Sequence, residues 1–174
     1  MTSDDTTDPM RALRQAVRAN AARADVHVEI QRIYGELAAA IERRRPICVV
    51  SGRCCRFEDY GHRLYVTTAE LASFMRGYEQ GGRSPAIEEA VRAWDGTGCP
   101  FQVAKLCGVH ALRPFGCRVF FCDETATQWQ NEAYEAFHGQ LKRLHEELGV
   151  PYFYLEWRQA LRALVPGLGE GAGR

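Results

Sequence analysis

The chain has 174 residues, 46% of them hydrophobic, which suits one domain with its own core and excludes global disorder. Its 22 Lys and Arg balance 22 Asp and Glu, so net charge gives no support for a nucleic-acid or anionic-membrane partner. No stretch approaches the roughly 20 apolar residues of a membrane span, and the opening MTSDDTTDPM lacks the basic and apolar regions of a secretory signal. The expectation is a cytoplasmic chain whose thiols are kept reduced.

Residues 1–9 read as a disordered lead. From Arg11 to Arg45 the pattern is helical, with Val26, Ile30, Ile33, Leu37 and Ile41 on one face, and Pro46 ends it. The cluster Arg43-Arg44-Arg45 suits a helix C-terminus, where cations offset the macrodipole. A short strand is expected at Arg63–Val66. Thr67 and Glu70 then form a capping box, followed by Leu71, Phe74, Met75 and Tyr78 at helical spacing. Gly81-Gly82 breaks that helix. Ser84-Pro85 opens another with Ile87, Val91 and Trp94, and Asp95–Gly98 is a turn. Residues 99–123 have no clean period and read as loop with short strands. Helix resumes near Glu124, with Trp129, Ala133, Phe137, Leu141, Leu144 and Leu148 on one face and Gly149 at its end. Pro151–Val165 reads as a last short helix, with Tyr152–Leu155 as an extended alternative, and 166–174 as a flexible tail. The expected fold is mainly α: a single small helical domain over 10–165, built around an irregular cysteine-rich centre at 48–122 with short β segments.

All seven cysteines, Cys48, Cys54, Cys55, Cys99, Cys107, Cys117 and Cys122, fall inside that centre, and the flanking helices contain none. An odd number counts against a closed disulfide framework. The adjacent Cys54-Cys55 could pair with each other only through a strained ring. Clustered loop thiols without a secretion signal favour soft-metal chemistry, because thiolates select zinc, iron or iron–sulfur clusters. No C-x2-C pair is present, so a zinc finger or ribbon is not indicated, and buried free thiols remain the alternative on spacing alone.

The flanking residues add to this. ICVVSGRCCRF (47–57), VTTAELASF (66–74), CPF (99–101), the span from Cys107 through Arg113-Pro114 to Cys117-Arg118, and the run to Cys122 follow one another in order. This arrangement resembles the CxxCxxCC cysteine-cluster family, the YkgJ-like family of zinc- or iron-chelating proteins. Its pattern runs CxxCGxCC, a T..E helix start, CPFL, and C-x-IY-x-x-RP-x-x-CR-x-F. The resemblance covers residues 48–122 and implies metal ligation by Cys54, Cys55, Cys99, Cys107 and Cys117. Cys48 matches the first cysteine of the pattern and Cys122 one often found after it, so both join the expected metal set of seven. Ser51 stands where a further cysteine is expected, and a hydroxyl is a poor, hard ligand. Val109-His110 stands in place of IY, so His110 either offers an imidazole nitrogen or merely replaces a tyrosine ring.

Arg53, Arg56, Arg113 and Arg118 lie beside cysteines and are suited to offset thiolate charge, with Arg113 and Arg118 the expected cofactor-side pair. The simpler reading is that two of the four face solvent. Arg113-Pro114 also reads as a turn that aims Cys117. Gly52 is suited to supply the tight turn that Cys54 and Cys55 need to share a site. His62, His138 and His145 are expected at the surface, and Trp94, Trp129 and Trp157 in the core. The resulting expectation is a metal-binding cysteine-cluster protein holding a zinc or iron ion. The alternative is an iron–sulfur or iron-dependent enzyme of redox or methylation-related chemistry, since related cysteine clusters occur in flagellin lysine N-methylases. A metal ion is the expected partner, with neither nucleic acid nor membrane, and no feature identifies a protein partner or a catalytic residue.

Overall fold

The computed structural model describes residues 8–171. The expected lead therefore lies outside the described residues except at its end, where Asp8 caps α1 (Pro9–Ala21) by accepting the Met10 amide. The single long helix expected from Arg11 to Arg45 is two helices. α1 stops at Ala21 and α2 runs Ala24–Arg44. At the break the Asn20 amide bonds back to Ala16 O, and Arg23 turns extended to pair with Asp25 and to reach Leu148 O at 2.9 Å. Tertiary bonds at this corner outweigh a periodicity that runs straight through it.

After Pro46 the chain is irregular until a 3-10 turn at Arg53–Cys55 and the short α3 (Phe57–Tyr60). β1 (Tyr65–Thr67) leads into α4 (Thr68–Gly77), which opens on the expected capping box: Glu70 N–H bonds Thr67 Oγ1, and Glu70 accepts the Thr67 amide at 3.0 Å. Every residue from Thr68 to Met75 is buried. The side chains of α4 are mostly small or apolar and the carboxylate of Glu70 is satisfied internally, so α4 becomes the central element.

α5 (Pro85–Ala93) follows with Ser84 as its cap. The irregular stretch then forms a two-residue hairpin, β2 (Gln102–Val103) against β3 (Leu106–Cys107). The expectation of loop and strands alone over 99–123 missed α6 (Phe115–Val119). This helix is too short to show a period, and Pro114 opens it with O accepting from Cys117 and Arg118 amides. α7 (Thr127–Glu147) ends at Gly149, whose φ is +60°. β4 (Tyr154–Glu156) pairs antiparallel with β1, Val66 opposite Leu155, and α8 (Trp157–Leu164) completes the order. Thus Tyr154–Glu156 is extended and only the later part of Pro151–Val165 is helical. The tail packs as well: Gly169 and Gly171 amides bond Val91 O and Arg92 O on α5, while 172–174 lie outside the described residues.

Two apolar cores meet at α4. One joins α1, α5 and α8 through Leu13, Leu71, Phe74, Phe101 and Trp157; Cys99, Cys107 and Cys117 pack against it. The other joins α2, α6 and α7 through Ile30, Ile33, Phe115, Phe137 and Leu141. Each fully buried large side chain contributes roughly 1.5–3 kcal/mol, so both cores hold the irregular segment from two sides. The fold is mainly helical with short β segments. No helix among the described residues is long and apolar enough to cross a membrane.

Candidate metal centre

The turn SGRCC is shaped by Gly52. Its φ is +67°, and a Cβ there would stand 1.8 Å from Lys105 O on the β2–β3 hairpin. Only glycine lets this backbone approach so closely. The Cys55 amide closes the turn onto Gly52 O at 3.1 Å, and Gln102 Nε2 clamps Gly52 O and Lys105 O together. Cys99 is then tied directly to the turn, its amide donating to Cys55 O at 2.8 Å. The hairpin brings Cys107 opposite Gln102. α6 carries Cys117, and its start is held by Glu70, whose Oε1 accepts the Phe115 amide. Four separate segments therefore deliver their cysteines to one place.

The thiols interact. Cys55, only 4% exposed, has its sulfur near those of Cys107, Cys54 and Cys99. Sharing its one S–H proton with these neighbours pushes the Cys55 thiol far up, so it keeps that proton. The shared proton of Cys55, aided by Arg113, draws Cys54 down to about 6 against the opposing effect of burial. Cys107 is lowered, first by Cys55. Cys117 is pushed well up by burial and by the charges of Cys99, Cys107 and Cys54. All seven cysteines are free. Among the described residues no three Cys, His, Asp or Glu groups already stand at metal-holding geometry. Each thiol carries a single proton, and a soft cation would have to replace those protons to draw the sulfurs around itself. The donor set itself, five thiols supported by a guanidinium, fits zinc or iron in its chemistry.

Cys48 and Cys122 are exposed. They line a cavity of about 310 Å³ together with Cys54, Cys107, His110 and Arg113. Ser51 Oγ accepts the Arg53 amide at 3.4 Å. His110 is held below its ordinary range by burial and by Arg113 and Arg118, which keeps a neutral imidazole beside the cavity.

The arginines divide. Arg113 acts on Cys54, Cys107 and Cys117 electrostatically, while Nη1 reaches Cys117 O at 3.4 Å. Arg118 is directed elsewhere: it lies over the Tyr34 ring at 4.3 Å and bonds Arg113 O and Ala111 O. These bonds brace the Arg113 loop, while Arg118 still acts electrostatically on Cys117. Arg53 and Arg56 both stack on Tyr60, so the simpler reading holds for that pair.

Two histidines expected at the surface are not there. His145 is 3% exposed; its Nε2 accepts the Ala69 amide and Nδ1 donates to Val150 O. His62 is partly buried between Phe57 and Phe120, with Nε2 at 3.3 Å from Cys54 O. Its Nδ1 has no partner among the described residues. His138 stays near the surface against Tyr152. Trp157 and Trp94 are core residues and Trp129 is partly buried. The residue whose supporting role was missed is Glu70. The capping box marks it, but no sequence signal reveals its bonds to Phe115 and Tyr34.

Comparison with protein-family models, with curated proteins and with solved structures found no match to this chain.

Proposed function

We propose that the protein binds a zinc or iron ion through the thiolates of Cys54, Cys55, Cys99, Cys107 and Cys117, as its resemblance to the cysteine-cluster family implies. The observation that carries this reading is the meeting of Cys54, Cys55, Cys99 and Cys107 from three segments as free thiols near enough to perturb one another, with the Cys99 amide tied to Cys55 O. Cys54 and Cys107, lowered with Arg113 beside them, lose protons readily to a soft cation, while Cys55 and Cys117 would give theirs up only as the cation binds. The cation would supply a closed structural centre or, with one position open, a Lewis acid. A cytoplasmic setting suits the reading, because thiols there stay reduced.

The test is metal content in single variants. Cys99→Ser and Cys117→Ser should lose metal, whereas Cys48→Ser should keep most of it. Equal metal in all three would remove the ligand assignment.

The 310 Å³ cavity against Cys54 and Cys107 favours a second reading, an iron or iron–sulfur enzyme with its substrate in that space. Iron with acid-labile sulfide, together with a ligand that perturbs the visible spectrum, would favour it over a chelating module.

A further inference from the structure

Cys48 and Cys122 share three properties that the other cysteines lack in combination. Both are exposed. Both line the cavity whose other walls include Cys54 and Cys107. Their segments are also tied to each other, since the Ile47 amide donates to Asp123 Oδ2 at 3.0 Å. Each cysteine is thus next in sequence to one end of that bond.

The two sides differ in firmness. Asp123 is anchored by the Thr125 amide and hydroxyl at 3.0 and 2.6 Å, and Arg44 holds Thr125 O. The Cys48 side belongs to no helix or strand. Ile47, Val49 and Val50 are exposed to 64%, 61% and 69%, and Val50 sits at φ +48°, a strained value for a β-branched residue. A cysteine beside the anchored Asp123 thus shares a cavity wall with one on a loop with little to hold it, which can adjust toward the Cα separation of under about 7 Å that a disulfide needs.

We propose that Cys48 and Cys122 form a redox-active dithiol that closes as a disulfide across the cavity, with a small-molecule disulfide as its oxidant. The thiolate of one cysteine attacks a sulfur of the oxidant, whose S–S bond breaks. One small thiol leaves with the electron pair and takes a proton. The second cysteine then attacks the protein sulfur of the mixed disulfide, the Sγ–Sγ bond forms, and the other small thiol leaves. Two electrons pass from the dithiol to the oxidant, and the two protein thiol protons end on the two small thiols. The closed bridge would shield Cys54 and Cys107 from solvent. That consequence rests on the metal-site reading; the bridge does not.

The experiment exposes the folded protein to oxidised glutathione and maps the products by peptide mass spectrometry, with and without added zinc. The expected product is lighter by two hydrogens, carries no glutathione, links the Cys48 and Cys122 peptides, and reverts with dithiothreitol. Cys48→Ser should instead hold one glutathione on Cys122. In the bridged protein, alkylation of Cys54 should be lost over the time in which the reduced protein is fully labelled. A bridge to any of the five buried-group cysteines would overturn the proposal, as would stable glutathione on both Cys48 and Cys122. Protection of both by zinc would make them metal ligands and would overturn it too. Because the bridge is mapped in metal-free protein as well, absence of a metal site leaves the result readable.

Discussion

Glu70 Oε1 accepts the backbone amide of Phe115 at 2.8 Å, joining the first turn of α4 to the first turn of α6. The same carboxylate receives the Thr67 amide and hydroxyl and the Tyr34 hydroxyl, in a site only 2% exposed. Glu70→Ala leaves several buried donors without a partner, each costing about 1–3 kcal/mol. The urea midpoint should fall by an amount equivalent to at least ~2 kcal/mol. Metal content should fall with it, because α6 carries Cys117. Glu70→Gln, which keeps one of the two acceptor oxygens, should lose less on both counts.

The approach of Gly52 to Lys105 O makes a second prediction. Gly52→Ala places a methyl where a backbone oxygen stands, at a φ that L-residues rarely adopt. Cost of a few kcal/mol is expected from the clash and the backbone strain together. The hairpin and the SGRCC turn should separate, and thermal unfolding should come earlier with metal binding weakened. A variant as stable and as metal-competent as the parent would mean that this contact does not shape the site.

The division among the arginines can be checked directly. Arg113→Ala should weaken zinc retention against a competing chelator by about tenfold or more, the usual scale for groups that support metal ligands from behind. Arg56→Ala should leave retention unchanged, since Arg56 is engaged with Tyr60 and Asp59. Equal effects would remove the distinction.

Most helices were legible because their signals are local. The Thr67–Glu70 capping box, Ser84-Pro85 and the apolar face of α7 each state their element within a few residues. What failed depended on distant partners. The break at Arg23 is set by Leu148, 125 residues away. α6 is one turn long, and the tail is pinned by α5 carbonyls and by packing of Leu168, both distant in sequence. At the site, sequence order indicated that the cysteines belong together, but not that Cys55 is buried while Cys48 and Cys122 are exposed. Nor could it show that Arg118 turns away toward Tyr34, because guanidinium direction is decided by the carbonyls within reach.

His145 gives a pH prediction. Burial holds its imidazole below the ordinary range, and both ring nitrogens are satisfied in the neutral form. The unfolded chain protonates near pH ~6.5. The folded chain protonates only at lower pH, so below that point the unfolded state binds more protons. Stability is full above pH ~6.5 and falls at up to ~1.4 kcal/mol per pH unit as pH drops toward the folded value. Urea midpoints followed through this window should fall in the parent and fall less in His145→Gln. Parallel slopes would assign the effect to other groups.

The most direct measurement is metal and acid-labile sulfide content, with a visible spectrum, on protein purified without oxygen. The account predicts stoichiometric zinc without colour, or iron with or without sulfide. Either result would also fall in Cys99→Ser and Cys117→Ser. Protein that neither carries metal as purified nor takes up zinc or ferrous iron on addition would contradict it, and the gathered thiols would then be a hydrogen-bonded part of the core.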